Sequence, residues 1–401
     1  MAFRHQKADS RRLLLREISQ HGPLPRIDLS ERTGISRATV TSVTAELIDG
    51  GLVEEVPRDI RTDESSRGRP RIDLRLRGSA RMVAGLKVSD RAISFVLMDF
   101  EGNPRADHER ALDQTRHSPD ALASEIAAGL DALAARAVCT CADISGVGVG
   151  LAGVVDADHG LVYWSPSLDR RNVDFGEVLH ARLGTPVYLD NDANLVAMAE
   201  LKFGKGRDHS DFIVITIESG VGMGMVLGGQ IYRGTRGCGA EFGHTKVHLD
   251  GALCRCGQRG CLEAYVADYA LVREAMATGI VQPGATTSES VNAVLSAARG
   301  GDAPAQSVID RAGRMFAMGL ANLVNIFDPE LIILAGEQME FDHLYADAVI
   351  EAMGRSIVEI DKPAPAVVVH KWDNLMWARG AAAYALEFVQ DNAVEALSDV
   401  G

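Results

Sequence analysis

The chain has 401 residues, 46% hydrophobic and 24% charged, with a formal net charge of −14. This length suits two or three domains, and the balance of apolar to charged residues excludes a disordered chain. Apolar runs such as Phe212–Ile217 and Leu331–Ala335 are far shorter than a membrane span, and Arg4, Lys7, Arg11 and Arg12 are followed by no apolar signal core, so a cytoplasmic protein with no membrane partner is expected.

Residues 1–78 carry 15 Lys and Arg against 12 Asp and Glu, so the acidic excess lies in the rest of the chain. A basic head on an acidic body assigns any nucleic acid to the head. Ser10–Ser19 reads as an amphipathic helix with Leu13, Leu14 and Ile18 on one side. His21-Gly22-Pro23 breaks it, and a short second helix spans Arg26–Arg32. Thr33-Gly34-Ile35 is a tight turn, and Ser36 is a good N-cap for a third helix that ends at Gly50-Gly51. This is the helix-turn-helix pattern. On the third helix Val40, Val43 and Leu47 face inward. The outward Arg37, Ala38, Thr41, Ser42 and Ala45, with Ser36 at the start, suit entry into the major groove of double-stranded operator DNA.

Leu52–Val56 and Ile72–Leu76 predict the two strands of a wing. The loop between them holds Arg67-Gly68-Arg69-Pro70, which resembles the core of an AT-hook that enters a narrow minor groove. A basic loop touching phosphates is the alternative.

Beyond residue 78, predicted strands at Val83–Val88, Ile93–Asp99, Ile144–Gly150, Pro186–Asp190, Phe212–Glu218, Val221–Leu227 and Leu331–Leu334 alternate with helices. The helices include Ala121–Ala135, Ser307–Ile326 and Trp377–Val389. The pattern predicts an α/β body, and about 320 residues suit two lobes with a ligand cleft near strand ends.

Six cysteines in such a chain direct attention to metal spacing. His244, Cys254, Cys256 and Cys261 offer one imidazole and three thiolates, a set that suits tetrahedral Zn2+ with no open position and therefore a structural role. Cys139, Cys141 and Cys238 read as free thiols.

Four ordered segments carry a family resemblance: Gly150-Leu-Ala-Gly-Val-Val-Asp156, Asp190-Asn-Asp-Ala-Asn194, Gly239-Ala-Glu-Phe-Gly-His244 and Cys254-Arg-Cys-Gly-Gln-Arg-Gly-Cys-Leu-Glu263. They resemble the signatures of the ROK family (repressors, open reading frames and kinases), and the winged head is similar to that of its repressor branch. The resemblance implies an actin/hexokinase-type body of two ribonuclease-H-like lobes around a sugar cleft. It also implies that Asn191, Asp192, Glu241, His244 and Glu263 hold sugar hydroxyls, with Asp192 matching the kinase base. Carboxylates and an amide have the right acceptors and donors for this, and a metal on one nitrogen of His244 would aim the other at the sugar. Ser165-Pro-Ser-Leu168 departs from the family, which often has Asn before the Leu.

Family kinases begin the first lobe with Asp-x-Gly-Gly-Thr for phosphate and metal. Here the aligned stretch has Lys87, Ser89, Asp90 and Arg91 at those positions, so no catalytic residue is assigned. The later turns Glu218-Ser-Gly-Val-Gly222 and Ala335-Gly336 keep glycines.

The expected domains are a winged helix-turn-helix at 1–78, a first lobe at 79–190 and a second lobe at 191–401, the C-terminal helix being free to pack back on the first lobe. The expected function is a non-enzymatic, sugar-responsive regulator, a repressor of carbohydrate genes acting as a homodimer or homotetramer. An active sugar kinase with a DNA-binding head and a zinc or redox sensor triggered by the cysteines are the alternatives.

Overall fold

The computed structural model describes residues 2–57, 72–281, 284–336, 344, 346–371, 373 and 375–399. The chain divides into two compact units, Met1–Asp190 with Ala378–Gly401, and Asn191–Trp377. Arg67, Gly68, Arg69 and Pro70 lie outside the described residues.

The first unit begins with α1 (Ala2–His21), α2 (Arg26–Thr33) and α3 (Arg37–Asp49). Strands β1 (Leu24–Pro25), β2 (Val53–Pro57) and β3 (Ile72–Leu76) form an antiparallel sheet in the order β1-β3-β2. This is a winged helix-turn-helix. Helix α2 stops because Gly34 adopts φ +69°, the left-handed conformation a residue without Cβ reaches freely. Helix α3 starts where the Ser36 hydroxyl accepts a hydrogen bond from Thr39 N at 3.2 Å. Val40, Val43 and Leu47 are buried. In α1 the buried stripe is Leu14, Leu15 and Ile18, while Leu13 is 42% exposed. This corrects the sequence expectation: Leu15, three residues before Ile18, shares its face, and Leu13 turns outward.

Next come β4 (Met82–Val88), β5 (Ala92–Asp99) and β6 (Pro104–Ala111), then α4 (Pro119–Arg136) and β7 (Ile144–Leu151). Three short strands, β8 (Val154–Asp156), β9 (Leu161–Trp164) and β10 (Val173–Asp174), precede α5 (Phe175–Leu183) and β11 (Val187–Asn191). The large sheet has the order β11-β7-β4-β5-β6, with β4 antiparallel to β5 and parallel to β7. Leu122, Ile126 and Leu133 of α4 and Leu179 of α5 cover Phe95, Leu97, Val147 and Val149 on one face.

The second unit opens with α6 (Asp192–Phe203), β12 (Phe212–Ile217), β13 (Val221–Leu227) and β14 (Gln230–Ile231). It continues through α7 (Glu263–Val266), α8 (Asp268–Thr278), α9 (Thr287–Arg299) and α10 (Ala303–Phe327) to β15 (Leu331–Ala335), α11 (Asp347–Gly354) and β16 (Ala366–Val369). Its sheet has the order β14-β13-β12-β15-β16. Every residue of β12 is buried, because both faces are covered. Ile213 and Ile215 pack with Phe316 and Leu320 of α10. Phe212 and Val214 pack with Val196 and Ala197 of α6.

The last helix, α12 (Met376–Asp399), carries Ala378–Gly401 into the first unit. Small residues let it lie close on the sheet: a Cβ on Gly85 would strike the Ala378 carbonyl, and one on Gly148 the Ala381 carbonyl. One apolar cluster runs from Leu14, Ile18, Val43 and Leu47 through Val96, Met98 and Phe100 to Ala382, Val389 and Val394 of α12. Polar links reinforce it, with Arg16 to Asp391 at 2.7 Å, Gln390 to Ser19 at 3.3 Å, and Arg12 paired with Glu395. The head is therefore seated on α12 mainly by burial of apolar surface, and the exposed ion pairs add little.

Candidate functional site

Helix α6 begins at the site. Asn191 is its N-cap, accepting from Ala193 N at 2.9 Å, and Asp192 Oδ1 accepts from the same N–H at 3.0 Å. The helix is held against β13 by missing side chains. A Cβ on Gly222 would lie 2.6 Å from Thr216 Oγ1, and one on Gly224 would strike the Ala193 carbonyl.

Glu241 follows Ala240, whose φ of +67° is unusual for a residue with Cβ. Such strain is held where the surrounding structure fixes it. A single 3-10 turn, Phe242–His244, then presents His244, whose Nε2 is 4.0 Å from Glu241 Oε2. Glu263 starts α7. Its Oε2 accepts from Val221 N at 3.4 Å, and its Oε1 accepts from the Tyr269 hydroxyl at 3.4 Å. Burial pushes the Glu241 carboxyl up, His244 opposes the shift, and the charges of Glu263 and Asp192 add to it. Asp192, Glu241, His244 and Glu263 are thus electrostatic neighbours. Together they offer three carboxylates and an imidazole, which can take the hydroxyls of a polyol in several directions.

The metal-type residues also come together. One donor atom from each of His244, Cys254, Cys256 and Cys261 lies within 4.8 Å of the other three. Cys254 Sγ is 3.7 Å from His244 Nδ1, and Cys256 Sγ is 3.7 Å from Cys261 Sγ. A tetrahedron built on metal–sulfur bonds of about 2.3 Å has edges of about 3.8 Å, so the spacing fits a tetrahedral ion. Burial pushes the Cys254 thiol up to about 12, so a thiolate there requires a cation beside it. With Nδ1 turned to the thiols, His244 keeps Nε2 on the Glu241 side.

Two neighbours are not evident from sequence reasoning. Lys246 Nζ lies 2.8 Å from Cys261 Sγ, a charge partner for a sulfur anion. Tyr269 donates to Glu263 and lies 3.6 Å from Cys254, joining the two sets. A basic residue two positions after a candidate ligand is the available signal for Lys246; Tyr269 gives none.

Ser165 and Ser167 belong to the first unit and are buried. Lys87 is 9% exposed and pairs in register with Ser94 and Gly150. Ser89 N bonds to Ala92 O, closing the hairpin with the side chains of Asp90 and Arg91 exposed. Cys141 donates to Asp131 at 3.1 Å, and burial with that carboxylate pushes the thiol up to about 12. It is a poor nucleophile, which disfavours a redox trigger there.

In the head, Ser36, Arg37, Ala38, Thr41 and Ser42 are all exposed on α3. Arg37 makes no ion pair among the described residues. No helix of the described residues is long and apolar enough to cross a membrane.

Residues 83–387 match the model of the ROK family, and residues 8–54 match that of a winged helix-turn-helix DNA-binding domain. The chain is 28% identical to the xylose repressor of Bacillus subtilis, over 83% of each chain. It is 32% identical to a glucokinase of Streptomyces coelicolor, over 76% of this chain and 98% of the kinase. A crystal structure of a ROK family transcriptional regulator, a homologue of the Escherichia coli MLC protein, superposes with a TM-score of 0.82 at 24% identity, covering 99% of this chain and 100% of that one.

Proposed function

The chain belongs to the ROK family and carries a winged helix-turn-helix head, and on that premise we propose that it is a sugar-responsive transcriptional repressor whose kinase-type chemistry is lost. The observation that carries this reading is the first hairpin of the body. Lys87, Ser89, Asp90 and Arg91 occupy it in a chain that keeps Asn191, Asp192, Glu241, His244 and Glu263. Phosphoryl transfer needs backbone close to phosphate and a carboxylate for the metal. A buried lysine and three side-chain-bearing residues supply neither. Sugar binding needs only hydroxyl partners, and those remain.

In this reading His244, Cys254, Cys256 and Cys261 hold a structural zinc that fixes the imidazole; no step of chemistry passes through it. Asp192 serves as a sugar ligand and not as a base. Arg37, Ala38, Thr41 and Ser42 read the major groove, with Ser36 fixing the start of α3, and Arg67-Gly68-Arg69-Pro70 enters the minor groove. Paired heads of a homodimer or homotetramer meet two half-sites on DNA in the cytoplasm. Sugar acts by favouring one arrangement of the protein over another.

The test is a thermal-shift panel of monosaccharides and phosphosugars, each with and without Mg-ATP, followed by operator binding with the sugar that shifts. A single sugar that raises Tm without ADP release and changes operator affinity is the expected result. The identity to a glucokinase supports a second reading, an active kinase with a DNA-binding head; sugar-dependent ADP release would establish it and overturn the first.

A further inference from the structure

A concave region of the second unit has none of Asn191, Asp192, Glu241, His244 and Glu263 in its lining. A cavity of about 520 Å³ is lined by His248, Leu253, Tyr265, Arg273, Arg311 and Arg314. A smaller one of about 220 Å³ adjoins it, sharing Tyr265, Glu274 and Arg311. The combined size is that of a small-molecule site.

The charge of the region runs against that of the chain. The protein carries −14 overall, yet three arginines line this cavity with one carboxylate, Glu274. Both oxygens of Glu274 are taken, one by Arg273 at 3.2 Å and the other by Arg311 at 3.3 Å. Arg273 directs its other donors to Leu253 O and Ala264 O. Arg314 has no ion-pair partner among the described residues. Arg311 and Arg314 sit at i and i+3 on α10, so their guanidinium groups share one face. The Arg311 guanidinium also stacks 5.4 Å from the Tyr265 ring centre, which limits its freedom. Two forked cations, one immobilised and one free, leave an excess of two positive charges facing a cavity.

We propose that this cavity is an accessory site for a phosphate group, carried by a small phosphate ester or free as inorganic phosphate. A phosphate dianion matches the excess of two charges, and guanidinium forks bind its oxygens in pairs. Arg311 and Arg314 are the ligands; Arg273 is a positioning residue, holding the Leu253 and Ala264 carbonyls. Those carbonyls stand next in sequence to Cys254 and Glu263, so occupancy bears on the loop that carries the metal set. The site does not depend on the sugar reading.

The experiment is calorimetric titration of the full-length, zinc-loaded protein with inorganic phosphate, then with glucose 6-phosphate and with glucose, at fixed ionic strength. Arg314→Gln and Arg311→Gln are each expected to raise the phosphate Kd by about tenfold, with Arg355→Gln, exposed at the end of α11, leaving it unchanged. Arg314 is exposed and unpaired, so its variant keeps the fold. Tighter binding of glucose 6-phosphate than of phosphate, in an Arg314-dependent manner, assigns an ester; equal or weaker binding assigns the free ion. Phosphate binding that survives both the Arg311 and Arg314 variants, that Arg355→Gln abolishes, or that never saturates overturns the proposal. Absence of glucose binding alone speaks to the sugar site and leaves this one standing.

Discussion

The two five-stranded sheets repeat one order: the first three strands of each form an antiparallel meander, and the fourth and fifth join beside the first. Their opening hairpins are equivalent in the fold and different in chemistry. Between β4 and β5 the chain runs Ser89-Asp90-Arg91, a turn with no glycine. Between β12 and β13 it runs Glu218-Ser219-Gly220, and a Cβ on Gly220 would lie 3.2 Å from Glu263 Oε2. Gly336 then lays backbone on the Ile217 carbonyl with φ +123°. Glycine is retained where backbone meets a carboxylate, a helix or another strand end inside the folded unit. The first hairpin turn has none. Close packing accounts for Gly222 of the second hairpin, whose Cβ would lie 2.6 Å from Thr216 Oγ1.

The largest effect expected follows from the loop that holds Glu263. Cys261 stands two residues before it, fully buried. Cys261→Ser, or a strong chelator, should remove about one zinc per chain and cost on the order of 5 kcal/mol of stability. Sugar binding should vanish with it, since Glu263 and His244 lose their support. Metal content and Tm measured together decide this; protein that carries no zinc and keeps its Tm under chelator would sink the metal assignment.

Next in size are the packing glycines common to both sheets. Gly148→Ala puts a methyl onto the Ala381 carbonyl of α12, and Gly224→Ala puts one onto the Ala193 carbonyl of α6. Each should cost about 2–3 kcal/mol by denaturant unfolding, because backbone cannot yield as a side chain can. Gly184→Ala, at φ +68° with open space around it, should cost about 1 kcal/mol. Equal costs at all three positions would show that close packing does not explain the glycines.

Asp192→Asn should weaken sugar binding by roughly 10- to 100-fold, the worth of a charge-assisted hydrogen bond, with Tm of the free protein little changed. Arg37→Ala should weaken operator binding by about tenfold and leave sugar binding as it was. An Asp192→Asn protein with full sugar affinity would remove the carboxylate set from the ligand site.

Much of this is legible in the sequence, and the reasons are local. The head reads well because capping, a left-handed glycine and the 3.6-residue period all act within a few residues: α3 runs from Arg37 to Asp49 with Ser36 as its cap. The buried strands β12 and β13 read well because short segments of six and seven residues dominated by Ile, Val, Met and Phe, broken only by Thr216 and by Gly222 and Gly224, have few other fates. Strand β6, Pro-Arg-Ala-Asp-His-Glu-Arg-Ala, gives no such signal because it is a polar edge strand, defined by pairing with β5 rather than by its own composition. Spacing locates the metal set, but Tyr269, which joins it to Glu263, depends on α8 folding back, and no local pattern encodes that. The seating of the head on α12 is likewise a contact between distant parts of the chain, 371 positions apart for Ser19 and Gln390.

The smallest effect expected tests the comparison most directly. Ser89→Gly with Asp90→Gly gives the first hairpin the backbone freedom of the second. Both side chains stand at the turn, partly or fully exposed, so stability should fall by about 1 kcal/mol at most, from added freedom of the unfolded chain. Sugar affinity should stay within about twofold, because no hydroxyl partner is touched. ATP turnover should remain undetectable, since buried Lys87 still stands where a metal-binding carboxylate is required. Coupled-enzyme detection of ADP with the sugar that shifts Tm reads this out. If the two glycines alone restore turnover, Lys87 is no barrier and the chemistry was lost at the turn only. If turnover appears only when Lys87→Asp is added, charge at the strand end is the decisive loss, and the two hairpins differ by function rather than by packing.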